Sequence, residues 1–97
     1  MIIVVNLIPQ DKELAGQYGA EDTVIVKCDA TDNPFTVNIP DASVGLQPEF
    51  KITKTDSSAN IVTLSPFGNQ TLARETSQEL TEQGDLIILN SDLENWV

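Results

Sequence analysis

A chain of 97 residues is the size of one domain, large enough to bury a core and fold alone but with little stability to spare. Five Lys and Arg against fifteen Asp and Glu, with no His, give a formal net charge of −10. That balance excludes the clustered cations that a nucleic-acid backbone demands, and the absence of His beside a single cysteine excludes an imidazole-assisted nucleophile, a Cys/His zinc site and an intrachain disulfide.

Met1 to Pro9 is apolar, yet it has no basic beginning, is too short for a membrane span and precedes no small-residue cleavage site, so a soluble cytoplasmic product with no membrane partner is expected. Within it Ile2 to Ile8 (IIVVNLI) is β-branched and aliphatic up to the break at Pro9, which predicts a strand. The strand is apolar on both sides: Ile3, Val5 and Leu7 alternate with Ile2, Val4 and, beyond Asn6, Ile8. Two-sided burial follows, either as a central strand between two layers or as an N-terminal arm laid on a neighbouring subunit. On the second alternative Ile2, Ile3, Val4, Val5, Leu7 and Ile8 are the candidate oligomer or partner contacts.

Gln10 to Ala20 carries two glycines and scattered charges without periodicity and reads as a loop, with room for one helical turn at Asp11 to Ala15. One domain spans 1–97, and on the second alternative residues 1–20 form its N-terminal arm and loop. Thr23 to Cys28 alternates to place Val24, Val26 and Cys28 inward, with Cys28 an inert core thiol. A turn from Asp29 to Pro34 leads to Phe35, Val37 and Ile39, which alternate with Thr36 and Asn38 until Pro40. Glu49 to Ser65 (EFKITKTDSSANIVTLS) reads as a β-hairpin: Phe50 and Ile52 face Val62 and Leu64 across a polar turn, Asp56 to Asn60. A short strand is expected around Ser77 to Leu80. Leu86 to Leu89 reads as a run buried on both faces, followed by a polar turn before Trp96 and Val97. Short strands with turn signals about every eight to twelve residues and no amphipathic helix predict an all-β fold, a small antiparallel β-sandwich of jelly-roll-like or Ig-like type.

Few residues offer chemistry. The fifteen carboxylates supply acids and bases in number, but no spacing singles out a pair, so no enzyme is expected and no cofactor. Asp29, Asp32 and Asn33 bunch in one turn without the spacing of a calcium loop, and their own backbone bonds explain them better than a metal does. Asn69-Gln70-Thr71 matches the glycosylation triplet by chance in a chain read as cytoplasmic. Tyr18, Phe67 and Trp96 are the aromatics outside an alternating core pattern, and they are the ones a carbohydrate-binding surface would have to use.

From Asp22 onward the motifs follow a specific order. A strand ends at Asp29, the next ends in Ile39-Pro40-Asp41-Ala42, and Gly45 precedes the arm Phe50-Lys51-Ile52-Thr53-Lys54. Then come Thr55-Asp56-Ser57-Ser58, Asn60, Val62-Thr63-Leu64, Gln83-Gly84, Leu86 to Leu89 and Asn95-Trp96-Val97. This order, covering about three quarters of the chain, resembles a small β-sandwich module of tailed-bacteriophage virion proteins: tail fibres, baseplates and capsid-decorating proteins. The chain departs from that pattern at Leu72-Ala73-Arg74, where the family often has a glycine-containing turn. The resemblance implies a virion structural protein, made in the host cytoplasm, with no catalytic residues. It implies a symmetric homo-oligomer, a trimer, that binds other virion proteins. A free-standing copy is expected to be a capsid decoration protein, with a tail or baseplate adaptor or a carbohydrate-binding host-attachment module as the alternatives. The acidity then serves solubility or steers the chain to a basic partner surface, through carboxylates outside strands such as Glu21, Asp22, Asp41, Asp92 and Glu94.

Overall fold

Two β-sheets face each other across a single apolar core. The computed structural model describes residues 1–14, 18–45 and 47–97, and among these there are seven strands and no helix: β1 (Ile2–Leu7), β2 (Thr23–Cys28), β3 (Phe35–Asn38), β4 (Glu49–Lys54), β5 (Val62–Ser65), β6 (Gln78–Leu80) and β7 (Leu86–Leu89). The larger sheet has the order β1-β2-β4-β7 and the smaller one β3-β5-β6. The all-β sandwich expected from the alternation is therefore present, but its sheets are mixed, not purely antiparallel. β1, β2 and β4 run parallel, as do β3 and β5, while β6 and β7 pair antiparallel to β5 and β4.

The parallel pairs arise from how the chain winds. It passes from β2 in the larger sheet to β3 in the smaller one, back to β4 and over again to β5, so each strand stacks beside the one laid down a full circuit earlier. The N-terminal circuit is begun by β1 and completed by Lys12 to Leu14, which lie along β3 through a parallel bridge between Glu13 and Asn38. Where a helical turn was allowed at Asp11 to Ala15, Asp11 instead closes a turn onto Ile8 and Lys12 to Leu14 run along β3; Ala15 lies outside the described residues.

This winding corrects the hairpin expected over Glu49 to Ser65. β4 and β5 belong to opposite sheets and do not pair. A period of two decides which side chains point inward but not which strand lies alongside, and a polar loop can cross between layers as readily as it reverses within one. The loop side chains bond to the neighbouring circuit: Asp56 Oδ1 accepts the Ala30 N–H at 2.7 Å, and the Asn60 amide donates to the Ala30 carbonyl at 2.8 Å.

Register stacks the core in rows. Ile3, Val24, Phe50 and Leu89 form one row across the larger sheet, and Val5, Val26, Ile52 and Ile87 the next. Phe35, Val37, Val62, Leu64 and Leu80 close the core from the smaller sheet. The C-terminal Trp96 fills the space between. It is fully buried, packs edge-on against Phe50 with ring centroids 5.3 Å apart, and donates its indole N–H to the Pro40 carbonyl at 2.9 Å. Its backbone pairs with Thr71 and Ala73, and Val97 pairs with Asn90, so the last residues are sewn into the fold.

Leu72 and Glu75 exchange both backbone hydrogen bonds, at 2.8 and 3.0 Å, around a two-residue turn whose central residues, Ala73 and Arg74, have φ of 50° and 74°. Two positive φ values are what a type I′ hairpin turn requires, and side chains with a Cβ resist them by about 1–2 kcal/mol each. Replacing the pair by Asn-Gly is expected to stabilise the domain by about 1–2 kcal/mol, read as a higher urea midpoint at unchanged slope.

Candidate functional site

β1 lies at one edge of the larger sheet, hydrogen-bonded to β2 on one side and open on the other. The six candidate contact residues divide by parity. Leu7 is buried and Ile3 and Val5 pack on the core, whereas Ile2 (71% exposed), Val4 (51%) and Ile8 stand out from the sheet. The two-sided burial expected for Ile2 to Ile8 is thus one-sided. β7, also expected to be covered on both faces, forms the opposite edge and exposes Leu86 and Ile88 (46%). An apolar run reports that something covers each face without saying that the cover belongs to the same chain.

The register gathers these side chains on one outer face. Val4, Ile25, Lys51 and Ile88 form a row across all four strands; Ile2 begins the row that includes Thr23 and Glu49, and Leu86 ends the one that includes Lys27 and Thr53. Its strand positions carry two lysines and one glutamate, Lys51 and Glu49 being 3.9 Å apart, on a chain of net charge −10. The β1 edge itself, Ile2 to Leu7, has no charge and no proline, the usual devices that keep an exposed strand from pairing.

The densest polar constellation lies elsewhere, at the corner after β4. Lys54 shares the inward parity of Phe50 and Ile52, so its side chain is fully buried in register with Leu7 and Cys28. Its ammonium meets Asp56 Oδ2 at 2.5 Å and lies 3.4 Å from Ser58 Oγ, whose hydroxyl donates to the same carboxylate. Burial alone would raise the Asp56 carboxyl; the Lys54 ammonium, the Ser58 hydroxyl and the backbone N–H groups of Ala30 and Ser58 outweigh it and hold it well below the usual carboxylate range. A serine beside a lysine can be a nucleophile beside its base, but here the Lys54 ammonium and the Ser58 hydroxyl are both taken up by the same Asp56 oxygen. The constellation is a clamp on the crossover. Cys28, next to it in the core, is pushed up to about 12 by burial and then by the Asp56 charge, which leaves an unreactive thiol.

The other sequence candidates are accounted for locally. Asp29 accepts the Thr31 N–H and hydroxyl, and among the described residues no three His, Cys, Asp or Glu side chains converge as metal ligands. Of the five carboxylates expected to steer association, Asp22, Asp41 and Asp92 cap their own turns, and Glu21 and Glu94 make no side-chain bond among the described residues. Trp96 is core and Tyr18 packs edge-on against Phe50, so Phe67 is the one largely exposed aromatic among the described residues.

Asp56→Asn leaves the buried Lys54 ammonium facing a neutral amide and is expected to lower stability by about 3–5 kcal/mol in urea melts, with Lys54→Met in the same chain recovering a large part. Since the Asp56 pKa is lower folded than unfolded, its contribution is complete above about pH 5 and is lost as pH falls below that, so stability measured from pH 7 to pH 2 should decline less steeply in Asp56→Asn.

Compared with known proteins, the chain matches no family model, no curated protein and no solved structure.

Proposed function

We propose that this chain is a structural assembly module of a tailed-phage particle, a capsid decoration protein that forms a homo-oligomer and binds other virion proteins. The observation that carries the reading is the outer face of the larger sheet, where Ile2, Val4, Leu86 and Ile88 are exposed together beside an unprotected edge strand. Copies with a charge of −10 repel one another, and the strand positions of this face, with two lysines to one glutamate, add nothing to that repulsion. Burying apolar area there contributes about 25 cal/mol per Å2, from which association entropy must be subtracted, so a small domain gains by sharing the face with a second copy. The order of motifs shared with phage virion modules supports the same reading and suggests three copies. Attachment at the tail or baseplate is the second location compatible with that motif order.

Light scattering at micromolar concentration is expected to give an oligomer mass. Val4→Asp combined with Ile88→Glu, both outward and exposed, should yield monomers whose thermal midpoint, extrapolated to low protein concentration, matches the parent's. A monomer mass for the parent, or variants that still assemble, would remove this face as the interface. Mass spectrometry of purified particles then separates the locations: hundreds of copies mean shell decoration, and a handful mean the tail.

A further inference from the structure

At the end of the smaller sheet, opposite in character to the apolar face just described, three chain segments finish side by side. Glu13 lies beside Asn38 at the end of β3, and Asn38 lies in register with Ser65 at the end of β5. Beside these ends lies a groove of about 530 Å3 whose walls include Glu13, Asn38, Asp41 and Phe67. Phe67, one of these walls, is 55% exposed.

The walls are held in place. Asn38 donates its side-chain amide to Glu13 Oε1 at 3.0 Å, and backbone bonds at 2.8 and 3.1 Å join Asn38 to Lys12 and Leu14. The turn that presents Phe67 closes with a bond from Gln70 N–H to the Phe67 carbonyl at 3.0 Å, with Gly68 in the left-handed region. Gln70 then reaches across to Asp41, donating to Oδ1 at 2.6 Å while accepting the Ala42 N–H at 2.9 Å. Asp41 Oδ1 also takes the Ser43 hydroxyl and N–H, and these bonds with that of Gln70 hold the carboxyl below its ordinary range and thus ionised.

One oxygen of each carboxylate is left over. Asp41 Oδ2 and Glu13 Oε2 accept no hydrogen bond among the described residues, and neither carboxylate is in an ion pair. A groove lined by two carboxylates, each with a free oxygen, by an exposed aromatic ring and, among the described residues, by no cation complements a planar cation. We infer that it binds an arginine side chain of a protein partner, with the guanidinium forked between the free oxygens of Glu13 and Asp41 and stacked on Phe67. A lysine fits less well, because its ammonium presents no plane to stack on the ring and its three donors lack the flat, widely spaced fork of a guanidinium. The inference stands apart from the assembly proposal, since it concerns the other sheet and requires no oligomer.

The test is titration of the full chain with N-acetyl-arginine amide, followed by amide and aromatic NMR shifts, beside the neutral isostere N-acetyl-citrulline amide. Saturable shifts are expected at the Asn38 side-chain amide, Phe67 and Gly68 with arginine, and none with citrulline. Glu13→Gln, which retains an acceptor for Asn38, should weaken binding about threefold or more, and Phe67→Ala by a similar factor, each with an unchanged melt. Raising salt to 0.5 M should weaken it as well. Equal response to citrulline, shifts scattered away from the groove, or both variants binding as the parent does would overturn the assignment. Saturation of the same residues by a neutral methyl glycoside and not by arginine would overturn it in favour of a saccharide site.

Discussion

Lys54 and Asp56 stand two residues apart at the point where the chain leaves the larger sheet, and the rest of the winding hangs on where that exit is fixed. An ammonium in an apolar interior is tolerated only with its counter-ion in contact and the remaining lone pairs satisfied. Asp56 supplies the contact, and through its other oxygen it takes the Ala30 N–H of the preceding circuit. Asn60 extends the same stitching to the Ala30 carbonyl through its side-chain amide. A charge that must be neutralised thereby sets the height at which one circuit stacks on the last, and with it the register that aligns Val24 with Phe50 and Val26 with Ile52.

Much of the fold was legible from alternation. The strands around Thr23 to Cys28, Phe35 to Asn38 and Val62 to Ser65 form where the period of two places them, with the expected residues inward, and a short strand does occupy Gln78 to Leu80. Partnership was not legible, because parity is a property of one strand and pairing of two, and the polar loop at Asp56 to Asn60 fits a hairpin and a crossover alike. The buried lysine was within reach: Phe50, Ile52 and Lys54 share one parity, and an aspartate follows two residues on.

The candidate surface was legible in part, and for an instructive reason. Ile2 to Ile8 and Leu86 to Leu89 stood out as runs with too many apolar positions for a half-exposed strand, and they are the two edges of one sheet, contributing to a single outer face. The groove on the other sheet gave no such sign. Its residues come from three segments far apart in sequence, and the glutamate, aspartate and phenylalanine that line it look ordinary where each stands. Trp96 was misplaced among surface aromatics because nothing in a terminal Asn-Trp-Val says that the tail returns to pair with Thr71, Ala73 and Asn90.

That return of the tail has a bearing on synthesis. Trp96 closes the space between sheets begun by residues near the other end, and the row containing Ile3 is completed only by Leu89. A nascent chain therefore holds its earlier strands without their last core partners until residue 96 has left the ribosome. With an order of pairing in which neighbours are a full circuit apart, closing the core is a late and collective event. During that interval the strands that later form the apolar outer face are open on both sides, and the high density of negative charge along the chain keeps such unfinished copies apart.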